Sequence, residues 1–280
     1  MSGERQPVVE DGIKYWASRP ANDDGVLGGY GTGSLPRVES LGSRQFLLHL
    51  LPFLSTVPSA IRPLRPPART RRSRALDVGA GVGRVTADTL LPLISDVVLL
   101  EPVESLVQVA LSRGKESTNA EPSSKNGVRK WKGISDGSRS VTFYQGTLQA
   151  FDPANPVGTA KFLGRVGYAL PDGADEGGFD VLWCQWCLMY MTDPDLVAFL
   201  RRSRSSLRDA QSVIVVKENV CSDKDEHTEA VEFDEEDSSV TRSDLAWKRV
   251  FREAGLSLVH QQVQNGLPPG LFMVKMYALR

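Results

Sequence analysis

At 280 residues, with 41% hydrophobic, 24% charged and 8% aromatic residues, the chain has the make-up of an ordinary folded protein of one or two domains. Collagenous, coiled-coil and wholly disordered classes are thereby excluded. The 33 Lys and Arg balance 34 Asp and Glu to a net charge of −1, so no overall basic field points to nucleic acid.

No apolar run reaches the roughly 18 residues of a spanning helix, and the polar opening MSGERQP lacks a secretory signal's apolar region. Neither a membrane nor a nucleic acid is expected as a partner. Cys184, Cys187 and Cys221 are too few, and odd in number, for a secreted disulfide framework; a cytoplasmic or nuclear setting is expected.

Beyond a polar lead, the spacing of Phe46, Leu47, Leu50, Leu51 and Leu54 predicts a helix over 37–54. The following stretch carries six Arg between 62 and 74, with Pro63, Pro66 and Pro67 among them, and reads as an extended, solvated linker over 61–74. From Ala75 onward short apolar runs alternate with helical patterns. Strands are expected at 75–79, 97–101, 141–145, 180–185 and 212–217, and helices at 83–91, 103–113 and 194–207, the last capped by Thr192 or Asp193. Near-continuous apolar strands separated by helices predict an α/β fold, a mostly parallel doubly wound sheet covered on both faces. A further helix is predicted at 242–254, starting after Thr241 and ending at Gly255. Two strands at 257–263 and 272–279 follow without an intervening helix and read as an antiparallel hairpin at the sheet edge. The stretches 114–140 and 153–178 read as surface insertions.

The segment LDVGAGVGR sets Gly79, Gly81 and Gly83 between the first strand and the next helix, where a tight turn lets backbone amides approach a ligand. Arg84 stands where the dinucleotide fingerprint needs its last glycine. Glu101 ends the second strand 22 residues after Gly79, placed to accept two ribose hydroxyls. This is the pattern of Rossmann-like S-adenosylmethionine-dependent methyltransferases, with Gly79, Gly81 and Glu101 as cofactor residues and Arg84 as a holder of the cofactor's carboxylate.

Four further segments are more specific: YWASRPANDDGVLGGYG at 15–31, LWCQW at 182–186 followed by MTDPDLVAFLRR, VVKENV through DEEDSSVTRSDL at 215–245, and GLPPGLFMVKMYALR at 266–280. With them the chain resembles the protein alpha-N-terminal methyltransferases from about residue 11 to its end, the Arg-rich linker and two insertions excepted. The resemblance implies a class I methyltransferase domain over 75–280, with residues 1–60 as an extension that helps cover the ligands. It implies methyl transfer from S-adenosylmethionine to the free α-amine of proteins that begin, after Met removal, with Xaa-Pro-Lys or Xaa-Pro-Arg. Asp237, Asn219 and Tyr190 are then the catalytic candidates; Tyr190 stands where the family commonly has His, so a base role there is not carried over. Leu148, Gln149, Gln185 and Trp16 would complete the cofactor site. Leu27, Gly28, Tyr30, Trp186 and Phe272 would frame the peptide, and Asp234 with Asp237 would receive its third-position cation.

The chemistry fits a terminal amine. Freeing the lone pair of an α-amine of pKa near 8 costs about 1.4 kcal/mol at pH 7, against about 4.6 for a Lys side chain. The enzyme then mainly orients the amine and accepts a proton. Six acids between Glu229 and Asp237 follow the fifth strand, on the side where such sheets bind ligands, and suit a cationic peptide. Cys184-Gln-Trp-Cys187 sits at a strand end and the three His show no ligand spacing, so no metal is expected. Two other readings share the core pattern, a methyltransferase for a small amine and a cofactor-binding homologue without turnover.

Overall fold

A computed structural model describes residues 5–55, 71–119, 130–171 and 176–280. The predicted linker falls largely outside these. Among its last arginines, Arg72 pairs with Asp96 at 2.7 Å, and Arg74 opens the first strand, 9% exposed and paired with Glu176 at 3.0 Å.

The chain opens with helix α1 (Val9–Ser18), a 3₁₀ turn at Gly25–Leu27, helix α2 (Leu35–Leu50) and a second 3₁₀ turn at Pro52–Leu54. The helix expected at 37–54 is thus α2 and that turn. β1 (Arg74–Val78) leads into a π-helical turn at Thr86–Leu90, then β2 (Asp96–Glu101), α3 (Glu104–Glu116) and β3 (Ser140–Gln145). A single-turn helix α4 (Pro156–Thr159) precedes β4 (Lys161–Gly167); β5 (Val181–Gln185) follows, then a 3₁₀ turn at Leu188–Tyr190 and α5 (Asp193–Ser205). β6 (Val213–Cys221), β7 (Val231–Asp234), β8 (Ser239–Ser243), α6 (Asp244–Glu253), β9 (Leu258–Val263) and β10 (Met273–Leu279) complete the chain.

The sheet runs β4-β3-β2-β1-β5-β6-β10-β9, parallel from β3 to β6 and antiparallel at both flanks. Its strand order reverses between β1 and β5, and a doubly wound sheet opens its ligand crevice at the carboxyl ends beside that point. Successive residues of β2 explain the apolar runs: Val98 and Leu100 pack under α5 and α6 with Phe199 and Trp247, while Val97 and Leu99 pack under α2 and α3 with Phe46 and Val107. Both faces are dry, so the interior positions of β2, residues 97–100, are all apolar.

The two presumed insertions contribute to the core. Trp131 and Ile134 are 4% and 3% exposed, with Trp131 stacked 5.9 Å from Phe143. Within the second, β4 pairs antiparallel with β3. The acidic run is not a loop but the hairpin β7–β8, which attaches to the end of β6 through Val220 and Cys221. α6 is capped by Ser243, whose hydroxyl accepts from Ala246 N–H, and not by Thr241, which lies in β8; Thr192 caps α5. No helix among the described residues is long and apolar enough to cross a membrane.

Candidate active site

One cavity lies over the carboxyl ends of the parallel strands at the reversal point. Its floor carries Gly79, Gly81 and Arg84 after β1, Glu101 at the end of β2 with Val103 beyond it, Leu148 and Gln149 after β3, and Gln185 at the end of β5 with Trp186 and Tyr190 beyond it. All eight residues expected at the cofactor are therefore brought together, the eighth being Trp16, which comes down from α1. α1 also contributes Val9, Gly12 and Ile13, and the first 3₁₀ turn adds Val26, none of which the sequence analysis singled out. The signal was present: Val9, Ile13 and Trp16 lie at helical spacing on one face.

The geometry suits the proposed ligand. Gly79 and Gly81 have φ of 62° and 56°, a left-handed turn open to glycine. A Cβ on Gly79 would fall 2.4 Å from Cys187 Cβ, while above Gly81 the nearest atom lies at 3.6 Å, on Val26. Glu101 holds the turn through Gly81 N–H and Val103 N–H, both at 2.8 Å. Val103, Leu106 and Leu148 offer an apolar slot for a purine, and the carboxylate retains lone pairs for hydroxyl donors. Burial pushes the Glu101 carboxyl up to about 7, against the two amides that favour its charge. Ribose hydroxyls donate to the charged form, so affinity for S-adenosylhomocysteine should rise roughly tenfold from pH 6 to pH 8. Glu101→Gln should weaken binding by about 1–3 kcal/mol and flatten that dependence. Calorimetry showing equal affinity for both proteins at both pH values would remove Glu101 from the ribose site.

Arg84 has a partner the sequence did not disclose. Glu39 of α2, 0% exposed, is ion-paired with Arg84 and accepts from Gln185 Nε2 at 2.8 Å and Lys217 Nζ at 3.1 Å. Lys217 also donates to Ser43 Oγ at 2.8 Å, and Trp183 Nε1 donates to Gln185 Oε1 at 3.0 Å. One buried carboxylate thus sets the orientation of two cavity-lining side chains.

At the other end, Tyr190 Oη donates to Asp237 Oδ2 at 2.7 Å. Burial, then the charge of Asp237, pushes the phenol well above its usual range. It is a donor and not a base. Asp237 lies on the turn between β7 and β8, its Oδ1 accepting from Ser239 N–H at 3.1 Å. Neighbouring Ser238, with φ of 57°, accepts the N–H of Val8 at 2.9 Å, so the hairpin and the start of α1 are tied together. The ring of Trp16 stands edge-on to Tyr190, with centroids 6.5 Å apart.

The remaining expected peptide residues lie around the cavity without lining it. Asn219 accepts from Trp186 Nε1 at 3.1 Å; Asp234 is exposed at the end of β7 and accepts from Glu236 N–H at 2.8 Å. Leu27 is buried in its turn, Gly28 follows with φ of 60°, and Tyr30 and Phe272 are 38% and 48% exposed. Asp237 does not line the cavity itself but accepts from Tyr190, which does. Among the described residues no group of three or more His, Cys, Asp or Glu is arranged to hold a metal.

A doubly wound sheet with a left-handed glycine turn, an acid ending β2 and a cavity shaped for a nucleoside define a Rossmann-like S-adenosylmethionine-dependent methyltransferase. The chain belongs to the family described as AdoMet dependent proline di-methyltransferase, which it matches over residues 4–280. Among curated relatives, alpha N-terminal protein methyltransferase 1 of Schizosaccharomyces pombe is 34% identical over 98% of this chain and 96% of its own length. The Homo sapiens N-terminal Xaa-Pro-Lys N-methyltransferase 1 is 32% identical over 95% of this chain and 92% of its own. A solved S-adenosylmethionine-dependent methyltransferase of Leishmania major superposes with a TM-score of 0.66 at 30% identity, covering 97% of this chain and 82% of that one.

Proposed function

We propose that this enzyme transfers methyl groups from S-adenosylmethionine to the free α-amine of proteins beginning with Xaa-Pro-Lys or Xaa-Pro-Arg. The observation that carries this reading is the Tyr190–Asp237 hydrogen bond, which links the floor of the cofactor cavity to the acidic β7–β8 hairpin. A carboxylate beside the reacting end and further carboxylates beyond it suit a peptide with an ammonium group first and a cation third. The names of the full-length relatives point the same way.

Bound S-adenosylmethionine would supply an activated methyl group on sulfur. Gly79, Gly81 and Glu101 would hold its nucleoside, Leu148 and Gln149 would flank the base, and Arg84 with Gln185 would face its amino-acid end. Trp16 and its neighbours on α1 would exclude water above it. Trp186, held by Asn219, would pack on the substrate proline, with Leu27, Gly28, Tyr30 and Phe272 framing the approach. Asp237, oriented by Tyr190, would receive the amine proton and leave the lone pair aimed at the methyl group.

Incubation with labelled S-adenosylmethionine and peptides beginning Ser-Pro-Lys, Ser-Pro-Gln and acetyl-Ser-Pro-Lys tests this directly. The first should be methylated best and the acetylated peptide not at all. Asp234→Asn should raise KM for the Lys peptide several-fold and leave the Gln peptide unchanged, an effect that added salt reduces in the wild type. An unchanged Lys-to-Gln ratio in the variant would remove Asp234 from recognition. Equal methylation of the acetylated peptide would overturn the α-amine as acceptor.

A further inference from the structure

Between β5 and α5 the chain makes a tight excursion over residues 186–191 that brings both Trp186 and Tyr190 to the cavity. It begins at Trp186 in left-handed backbone, φ 53°, a conformation that persists in a bulky residue only where the surroundings hold it. Two buried charged side chains bond to the backbone of the turn. Glu218 of β6 accepts the N–H groups of Cys187 and Leu188 on Oε1, both at 2.9 Å. Arg242 of β8 donates to the carbonyls of Met191 at 2.7 Å and Leu188 at 3.5 Å, and is itself paired with Asp193.

Glu218 and Arg242 are 0% and 1% exposed, and neither lines the cavity. Glu218 Oε2 has no hydrogen-bond partner among the described residues. Burial pushes this carboxyl up to about 7 in spite of the amides it accepts. A buried acid with one unpartnered oxygen is costly, and packing alone would be served better by an apolar chain of the same length. What the acid supplies is an acceptor for two adjacent amides at the point where the turn begins. The next residue, Asn219, takes the indole N–H of Trp186, so consecutive residues of β6 fix the backbone of the turn and its aromatic ring.

We propose that Glu218 is a positioning residue for methyl transfer, holding the 186–191 turn so that Trp186 and Tyr190 meet the peptide in a single geometry. This rests on the assignment of the Tyr190–Asp237 end to the peptide amine. Glu218→Gln keeps an acceptor oxygen at the same reach, whereas Glu218→Asp stops one methylene short of the amides. In steady-state assays with a Ser-Pro-Lys peptide, the Gln variant should keep kcat within about threefold of wild type. The Asp variant should lose about 10–100-fold in kcat, the scale expected when a reacting group is misplaced by a fraction of an ångström to one ångström. Its dissociation constant for S-adenosylhomocysteine should stay within about threefold, and hydrogen exchange over residues 186–191 should quicken at least tenfold.

An Asp variant with wild-type kcat and wild-type exchange overturns the proposal, and so does a folded Gln variant as impaired as the Asp one. A wild-type enzyme inactive on the peptide would instead count against the peptide assignment. The exchange measurement then decides the grip on the turn by itself, wild-type protection in the Asp variant again overturning it.

Discussion

Glu39→Gln should cost the fold about 3–5 kcal/mol, the range for removing one partner of a buried ion pair. The reason is local. Glu39, 0% exposed, is the carboxylate between Arg84 and Lys217, which are 6% and 0% exposed. An amide in its place leaves two buried cations facing no anion. Burial alone would raise the Glu39 carboxyl, but Arg84 and Lys217 outweigh it and hold it at about 2. Its folded value lies below the unfolded value of about 4.5, so its contribution is complete above pH 4.5 and lost as pH falls toward 2. That window is worth about 3 kcal/mol, in keeping with the first figure. Lys217, brought down to about 8 chiefly by burial, can shed its proton in the variant and soften the loss. Urea unfolding of both proteins at pH 7 and pH 3 checks this: the difference should be large at pH 7 and shrink at pH 3. A Gln variant as stable as wild type at pH 7 would show that Glu39 does not balance these cations.

Asp237→Asn should lower kcat at least about 10²-fold, the low end for a positioned acid or base, while Tyr190→Phe should cost about tenfold or less. On the proposed reading the two side chains have separate roles. The phenol donates its proton to Asp237 and is pushed further from ionisation by burial and by that same charge, so it cannot take the amine's proton at neutral pH. The carboxylate can. Asn keeps the shape of Asp237 but offers no carboxylate, whereas Phe removes one hydrogen bond and leaves the carboxylate in place. Steady-state kinetics at matched S-adenosylhomocysteine affinity distinguish these. Equal losses would make the phenol a required part of the proton path.

The sequence discloses what is locally determined. β1, β2, β3, β5 and β6 are legible because both faces of each are buried, and the glycine turn with Glu101 because strand, turn and acid follow one another at short range. β4 and the β7–β8 hairpin are not, since Lys161 and two glycines in β4, Glu232 and Asp234 in β7, and Ser239 and Ser243 in β8 read as loop. α1 shows no side-chain cap of its own at Val8; the partner of that N–H is Ser238, 230 residues away. Glu39 falls on the buried face of α2, seven residues before Phe46, and its partner Lys217 comes 178 residues later, so no local pattern explains an acid there. Arg84 was legible as a cavity residue, but its ion pair was not, because the two partners share no sequence pattern.

The tie between α1, α2 and strands made much later has a consequence for how the protein is born. Glu39 must wait 45 residues for Arg84 and 178 for Lys217, and Val8 waits 230 for Ser238. At a synthesis rate of about 5–20 residues per second, Lys217 follows Glu39 by on the order of 10–35 s. The apolar face of α2, with Phe46 and Leu47, therefore leaves the ribosome long before the sheet that buries it exists. On the proposed reading α1 and α2 help cover the ligand; they are translated before the sheet and can dock only after it, and during that interval their apolar faces need shielding from other chains.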